Sequence, residues 1–364
     1  MMAGTHCAAH AMDQVTLYGI VDAGLQHFDV KGAPRLTAAI AGGQSQSRWG
    51  MKGVAGLRGG YKAHFQLENG FDIFQGTVSQ NGRLFGRAAW VGLSGPFGQM
   101  RLGRQTLAAT DYTGIFSPFG AAYKLASGGG AINSNTTPRG DNTVKYISPT
   151  VRGFQAAVSY ALDAHLAQNT DGLKRAATDR NRDHVLSLVG RYKHRYGQAA
   201  AYYQRTWLEG GTRVAGVHQA VSPQEYGFGG ELTLHPRVTI HAGFAQHRDA
   251  YMNGVLARNT GQTAVFKGGR VNGYSVGVST PIGVSRVMAQ FELSDPHKSM
   301  LRNKRSARHQ KIVSLGVVHP LSKRTNLYAY GAYLDGAWFD NATTGVAAKD
   351  WHASLLVVGM RHVF

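Results

Sequence analysis

Tyr61-Lys-Ala-His-Phe-Gln-Leu-Glu68 alternates strictly: Lys62, His64, Gln66 and Glu68 fall on one face of an extended chain, and Tyr61, Ala63, Phe65 and Leu67 on the other. Successive side chains of a strand point to opposite faces, so this period of two predicts a half-buried β-strand. The alternation returns further on. Val238, Ile240, Ala242 and Phe244 oppose Thr239, His241, Gly243 and Ala245. Arg286, Met288, Gln290 and Glu292 oppose Val287, Ala289, Phe291 and Leu293. The pattern separates two faces but leaves open which one is buried.

The punctuation between strands decides the architecture. Short turn signals stand at Gly56-Leu-Arg-Gly-Gly60, Gly95-Pro-Phe-Gly98, Pro149 to Gly153, His194-Arg-Tyr-Gly197, His235-Pro236, Pro281-Ile-Gly283 and Pro320 to Arg324. Between consecutive turns lie two strand runs joined by a longer polar segment, such as Asp163 to Asp183 or Asp295 to Arg308. Short turns alternating with long loops mark an outer-membrane barrel, and seven short turns imply about sixteen strands. A propeller would need about four short strands per repeat. No run approaches the ~18 apolar residues of a membrane-spanning helix, so a chain like this can cross a bilayer only as a closed barrel. The expected fold is all-β, a 16-stranded antiparallel transmembrane β-barrel. At the end of the chain Leu356, Val358, Met360, His362 and Phe364 share one face. A chain that stops inside a strand leaves an edge, and closure onto the first strand, near Val15 to Asp22, removes it.

One connection stands apart. Thr106 to Asp141 is long, polar and rich in small residues, with Gly128-Gly129-Gly130 near its middle. Strand-like runs flank it at Gly82 to Ser94, Gln99 to Gln105 and Asn142 to Ser148. A loop of this length inside a compact domain is usually functional or disordered. It is expected to fold into the barrel lumen and narrow it; the competing reading is an external surface loop. Its acids are Asp111 and Asp141 and its bases Lys124 and Arg139, so it is formally neutral. In the run Gly82 to Ser94, Arg83 and Arg87 share a face with Phe85 while Trp90 lies opposite. Mixed faces of this kind suggest a strand buried on both sides, as at a subunit interface.

Composition narrows the functional classes. The 364 residues include 39 Lys+Arg against 20 Asp+Glu, a formal charge of +19. So basic a chain points to nucleic acid, an anionic membrane surface or anionic solutes. The charges are dispersed, apart from Lys174-Arg175 and a cluster at Arg302 to Arg308. A nucleic-acid binder would concentrate them on one face or arm, so no nucleic-acid partner is expected. Cys7 is the only cysteine, which excludes a disulfide framework. No nucleophile-elbow motif is present, and the triple glycine lacks the strand-to-helix setting of a phosphate loop. No catalytic residue, metal or cofactor is assigned. Ala9-His10-Ala11 has the small-x-small form of a signal peptidase site, without a basic or apolar region before it. Residues 1–11 are read as the remnant of a signal peptide or a mis-called start, and 12–364 as a single barrel domain with 106–141 as its constriction loop.

Several motifs together resemble the general trimeric porins of β-proteobacterial outer membranes. They are Val15-Thr-Leu-Tyr-Gly-Ile-Val-Asp-Ala-Gly24, Ser47-Arg-Trp-Gly-Met-Lys-Gly53, Phe65-Gln-Leu-Glu-Asn-Gly70, Gly82-Arg-Leu-Phe-Gly-Arg87, Val91-Gly-Leu-Ser94, Leu102-Gly-Arg-Gln105, Asp141-Asn-Thr-Val-Lys-Tyr146 with Ser148-Pro149, and the closing Gly359-Met-Arg-His-Val-Phe364. The resemblance implies a homotrimer in outer-membrane lipid and lipopolysaccharide, inserted by the barrel-assembly machinery with Phe364 as assembly signal. It implies passive diffusion of small hydrophilic solutes, and a third external loop folded inward as an eyelet. By motif position the eyelet arginines correspond to Arg48, Arg87 and Arg139. The chain departs from the family at Ala55-Gly56 and Pro96, where acids are common, and at Val363, where a base is common.

Three guanidiniums converging on one lumen would repel, by about 4 kcal/mol per pair at ~4 Å and an effective dielectric of ~20. They persist only if hydrated or faced by acids or anions; otherwise each is an ordinary solvated or salt-bridged residue. With a neutral loop, the balance favours a positive eyelet, and a ring of Arg or Lys favours anions. Alternation adds Lys62, Lys145 and Arg286 as secondary lumen candidates. The expected function is an anion-selective porin. The alternatives are a substrate-selective channel for anionic nutrients, such as phosphate or organic acids, and a barrel enzyme or adhesin working through its external loops.

Overall fold

A computed structural model describes residues 14–31, 34–120, 123, 126, 139–162, 164, 183–207, 212–214, 217–219, 222–235, 237–249, 251–252, 264–265, 270–296, 309–336 and 352–364. The expected signal remnant at 1–11, Lys124, the triple glycine, Lys174-Arg175 and the basic cluster 302–308 lie outside the described residues.

Seventeen strand segments are hydrogen-bonded into one sheet. Leu36–Ala41 and Arg48–Gly56 both pair with the first strand on its same side and form one interrupted strand, leaving 17 − 1 = 16. In order these are β1 (Gln14–Val30), β2 (Leu36–Ala41 resumed at Arg48–Gly56), β3 (Lys62–Gly70), β4 (Ala88–Gly95), β5 (Gly98–Thr106), β6 (Arg139–Ile147), β7 (Phe154–Ala161) and β8 (His184–His194). They continue as β9 (Gly197–Trp207), β10 (Gln224–His235), β11 (Val238–Arg248), β12 (Arg270–Ile282), β13 (Ser285–Pro296), β14 (Gln310–Pro320), β15 (Thr325–Asp335) and β16 (His352–Val363). Every strand pairs antiparallel with its sequence neighbours, and β16 pairs with β1 to close the barrel. The seven short turns expected from the sequence connect β2 to β3, β4 to β5 and so on to β14 to β15, all at one end.

Alternation resolves into an inverted burial pattern. On β16, Leu355 and Val357 point inward and are buried, while Leu356, Val358, Met360 and Phe364 are exposed on the outside. On β13 the buried set is Met288, Gln290 and Glu292, and Phe291 is exposed. The outer face is apolar and meets lipid; the inner face is mostly polar, except where β15 and β16 turn Tyr330, Leu334, Leu355 and Val357 inward.

Three expectations shift. First, β16 closes onto Gly19–Val30, from Ile20↔Val363 to Val30↔Ala353, rather than onto Val15–Asp22. The lower part of β1, Gln14 to Ile20, pairs with β2 instead. Barrel closure requires a register stagger, so the 17 residues of β1 serve two neighbours at different heights.

Second, the run Gly82 to Ser94 is not one strand. β4 begins at Ala88, after a turn in which Gln80, Asn81 and Gly82 have φ of 55°, 60° and 77°. Arg83 swings to Asp141 at 2.7 Å and Arg87 to Glu68 at 2.7 Å. The true strand alternates cleanly, with Val91 and Leu93 exposed. The mixed faces that suggested a subunit interface come from joining a turn to a strand.

Third, the long connection spans 107–138, and Asp141 lies within β6. A register shift between Gly103 and Gln105, with Asn142 at φ 48°, makes a bulge there.

The closing contact is specific. Gly19 and Phe364 exchange two backbone hydrogen bonds of 3.1 Å. A Cβ on Gly19 would stand 2.3 Å from the Phe364 ring, so the aromatic lies directly over the glycine. Gly19→Val should displace the ring at an overpacking cost of about 1–3 kcal/mol. The expected outcome is a lower temperature at which the folded band converts to the unfolded one on unheated detergent gels. An unchanged conversion temperature would show that the ring does not lock the seam.

Candidate functional site in the barrel lumen

Of the long connection, residues 107–120 with Tyr123 and Ala126 lie inside the barrel, held by polar groups of the inner wall. The Ser159 hydroxyl on β7 accepts from Ala108 N at 2.9 Å, and the Ser187 hydroxyl on β8 accepts from Ala109 N, also at 2.9 Å. In both cases the backbone N–H is the donor. Ser275 on β12 donates to Phe116 O at 2.9 Å, and Ser314 on β14 donates to Ala126 O at 2.6 Å. His241 on β11 is 3.1 Å from Ile115 O, and Tyr123 N donates to Gln44 O at 2.8 Å. These contacts satisfy backbone groups that a buried loop would otherwise leave orphaned.

Apolar seats complete the anchoring. Leu107, Ala108 and Ala109 are fully buried, and Phe116 and Phe119 nearly so. Phe116 stacks on Tyr202 with centroids 6.2 Å apart, and Tyr123 meets Phe119 and Tyr330 edge-on at 5.3 and 5.4 Å. Gly277 and Gly316 leave room for the loop: a Cβ would stand 2.6 Å from Pro118 at the first and 2.7 Å from Phe119 at the second. Burial pushes the Tyr123 hydroxyl up to about 12, so it stays neutral and accepts from Gln44 Nε2 at 3.0 Å.

Arg48, Arg87 and Arg139 are brought together, as expected. They line one cavity of about 410 Å³ with Arg101, Glu68, Gln66, Trp90, Thr106 at the end of β5 and the loop residue Thr110. Arg87 Nε donates to Glu68 Oε1 at 2.7 Å, and its Nη1 donates to Gln46 Oε1 at 2.5 Å. Glu68 Oε2 accepts from Tyr18 at 2.9 Å. Arg48 Nε donates to Gln46 O at 3.0 Å and Arg139 Nε to Arg87 O at 3.1 Å. Neither has a carboxylate partner among the described residues. Arg101 lies 4.4 Å over the Trp90 ring and is held by Gln99 Oε1 at 2.7 Å. Four arginines thus face one glutamate, a formal 4 − 1 = +3 in one cavity.

Other expected residues fall elsewhere. Lys145 is fully buried and its Nζ reaches Asp111 Oδ2 at 2.8 Å. It tethers the loop, and it removes Asp111 as a free acid. Asp141 faces away from this cavity, binding Arg83 at 2.7 Å and Arg104 at 2.5 Å. Lys62 is exposed at the short-turn end of β3. Arg286 donates to Pro118 O at 3.3 Å and Ser279 at 3.0 Å, on the loop's other flank.

The sequence reading missed Arg101 and the counter-ion Glu68. Alternation of Gln99, Arg101, Gly103 and Gln105 would have placed Arg101 inside. Glu68 was already on the polar face of β3, but its pairing with Arg87 crosses a turn that the strand pattern conceals. Among the described residues, no group of His, Cys, Asp and Glu is arranged to hold a metal.

A closed antiparallel barrel with its apolar face outside, a polar lumen and a long connection laid into that lumen defines a transmembrane channel of the bacterial outer membrane. The sequence matches the Gram-negative porin family over residues 1–337. It is 32% identical to an outer membrane porin of Bordetella pertussis, over 100% of this chain and 98% of that protein. It is also 32% identical to outer membrane porin protein 32 of Delftia acidovorans, over 98% of this chain and 96% of that one. Its fold superposes on the anion-selective porin from Comamonas acidovorans with a TM-score of 0.71 and 25% identity, covering 97% of this chain and all of that one. The chain belongs to the Gram-negative porin family, and it is an outer-membrane channel.

The glycine seats offer a direct check on the loop. Gly316→Val should unseat Phe119 and loosen the loop while the outward face is untouched. Single-channel recordings should then show more open-channel current fluctuation than the unmodified protein. A quiet channel of unchanged conductance would count against the seat.

Proposed function

We propose that this porin prefers anions, with the 107–138 loop as its constriction and Arg48, Arg87 and Arg139, joined by Arg101, as the cationic side of the eyelet. The observation that carries this reading is the three-charge excess in the shared cavity. Loop acids do not offset it, because Asp111 is taken by Lys145 and Asp141 by Arg83 and Arg104. Charges lining a narrow pore are screened less than surface charges, for which the Debye length is ~8 Å at physiological salt. Small hydrophilic solutes would cross by passive diffusion, and anions would enter more readily. The solved structure named for its anion selectivity supports the same direction.

In a potassium chloride gradient the reversal potential should show chloride preference, weakening as ionic strength rises. Arg48→Ser together with Arg87→Ser should move it towards potassium, since Glu68 then stands without its partner. Lumen substitutions mainly tune selectivity, so the barrel should still form, with a lower unfolding temperature because the buried Arg87–Glu68 pair is lost. An unmodified channel that prefers potassium would overturn the proposal.

We infer a homotrimer from family membership, and assign Phe364 as the assembly signal. Light scattering in mild detergent should give three times the chain mass, with dissociation only on heating. Deleting Phe364 should reduce the folded protein recovered from the outer membrane. A monomer by light scattering would refute the first assignment, and an unchanged yield after the deletion the second.

A further inference from the structure

The short turn between β6 and β7 holds Arg152 in a conformation that arginine seldom adopts. Val151 and Phe154 exchange two backbone hydrogen bonds of 2.9 Å across Arg152 and Gly153, whose φ values are 49° and 88°. A two-residue hairpin turn with positive φ at both positions favours Asn, Asp or Gly at the first and Gly at the second. Arginine there carries backbone strain that asparagine would largely avoid, and strain of this kind clusters at binding sites. No group of the protein answers it. Among the described residues, the Arg152 side chain is exposed and forms no hydrogen bond, ion pair or ring contact.

The strands beside that turn present a strip of rings to the outside. Phe154 on β7 meets Tyr192 on β8 with centroids 4.5 Å apart, His194 stacks on Tyr192 at 6.5 Å, and Tyr196, in the turn between β8 and β9, follows His194 at 5.4 Å. All four are exposed. Arg195 lies 4.4 Å over the Tyr196 ring and, among the described residues, has no carboxylate partner. The hydroxyls of Tyr192 and Tyr196 make no hydrogen bond among the described residues. Further up the outer wall Ala156, Gly190 and Ala201 sit side by side on β7, β8 and β9, and a Cβ on Gly190 would meet nothing within 4 Å. These small residues form a shallow depression between Tyr192 and Leu188, which is exposed. Neither turn carries Asp or Glu. Glu231 on the nearby β10 belongs to the inner face, where it accepts from Gln198 Nε2 at 2.7 Å.

We propose that this patch is a docking surface for an anionic phospholipid of the periplasmic leaflet. Short turns face the periplasm in barrels of this kind, so the two arginines lie at headgroup level, the tyrosines at the boundary they favour, and the depression at the level of the acyl chains. The lipid phosphodiester meets Arg152 and Arg195, whose guanidinium forks match phosphate oxygens. The Tyr192 and Tyr196 hydroxyls donate to the same group, and an acyl chain lies over Ala156, Gly190 and Ala201. A zwitterionic headgroup would bring its own ammonium up to two unpaired cations, so the site favours a net negative lipid by about tenfold. The patch is on the outer wall and does not depend on the ion preference of the pore.

The test is native mass spectrometry of the whole protein, delipidated in detergent and then given phosphatidylglycerol and phosphatidylethanolamine of identical acyl chains in equal amounts. Phosphatidylglycerol should be retained about tenfold more than phosphatidylethanolamine. Arg152→Asn with Arg195→Gln should bring that ratio close to one, while the unfolding temperature holds or rises, because asparagine suits the turn. Lys323→Gln with Arg324→Gln, which removes two turn cations elsewhere on the rim, should leave the ratio unchanged. Equal retention of the two lipids by the unmodified protein, or an undiminished ratio in the Arg152 and Arg195 variant, would overturn the site. An equal fall in the Lys323 and Arg324 variant would also overturn it, by showing that rim charge acts without a site. Loss of the assembled mass in the Arg152 and Arg195 variant would overturn it by showing that the patch joins subunits.

Discussion

Every backbone N–H and C=O at membrane depth must find its partner within the protein, because lipid offers none. In this chain that demand is met by one continuous antiparallel ladder, and the ladder is complete only where β16 pairs with β1. The rest of the structure depends on that seam. The last residue completes it through the paired hydrogen bonds of Gly19 and Phe364, and the absent side chain of Gly19 lets the aromatic ring lie across the joint.

Closure has a chemical consequence. A barrel wide enough to hold sixteen strands cannot fill its interior with their side chains alone, so the inner face is polar and wet. Many polar wall residues are then buried and many large apolar ones exposed, while apolar residues such as Leu334 and Val357 are buried on the inner face. The same polar wall makes it possible to lodge a loop inside. Ser159, Ser187, Ser275 and Ser314, spaced around the wall on β7, β8, β12 and β14, each meet a backbone group of the inserted connection. A hydroxyl can donate or accept, so serine suits a segment with no regular ladder of its own. Glycines at 277 and 316 supply space where the loop presses closest.

Thr110 of the inserted connection lines the same cavity as the four arginines. Their mutual repulsion is tolerable because the cavity is open to water and one of the four is neutralised at short range by Glu68. Removing one partner of a buried ion pair typically costs ~3–5 kcal/mol. Glu68 therefore stabilises the cavity wall while lowering its charge. The placement of acids follows the same division of labour: Asp111 ties the loop to Lys145, and Asp141 braces the outer side of the β5–β6 bulge. Among the described residues, Arg48 and Arg139 are left without a carboxylate partner in the arginine cavity.

Much of this was legible in the residues themselves. The period of two marked the faces of β3, β11, β13 and β16, the Gly and Pro signals marked all seven short turns, and the terminal Phe364 marked the seam. These are local properties, set by strand geometry and turn conformation within a few residues. Tertiary structure alone decided which face of each strand was the inner one, because alternation is symmetric until the sheet curves and closes. It also decided the fate of the charges. Arg87 left its apparent strand to reach Glu68, Lys145 became a tether, Asp141 paired with Arg83 and Arg104, and Arg101 joined the cluster. The first three outcomes depend on partners 19 to 58 residues away in sequence, and charge pairing acts through space at distances that no local pattern records.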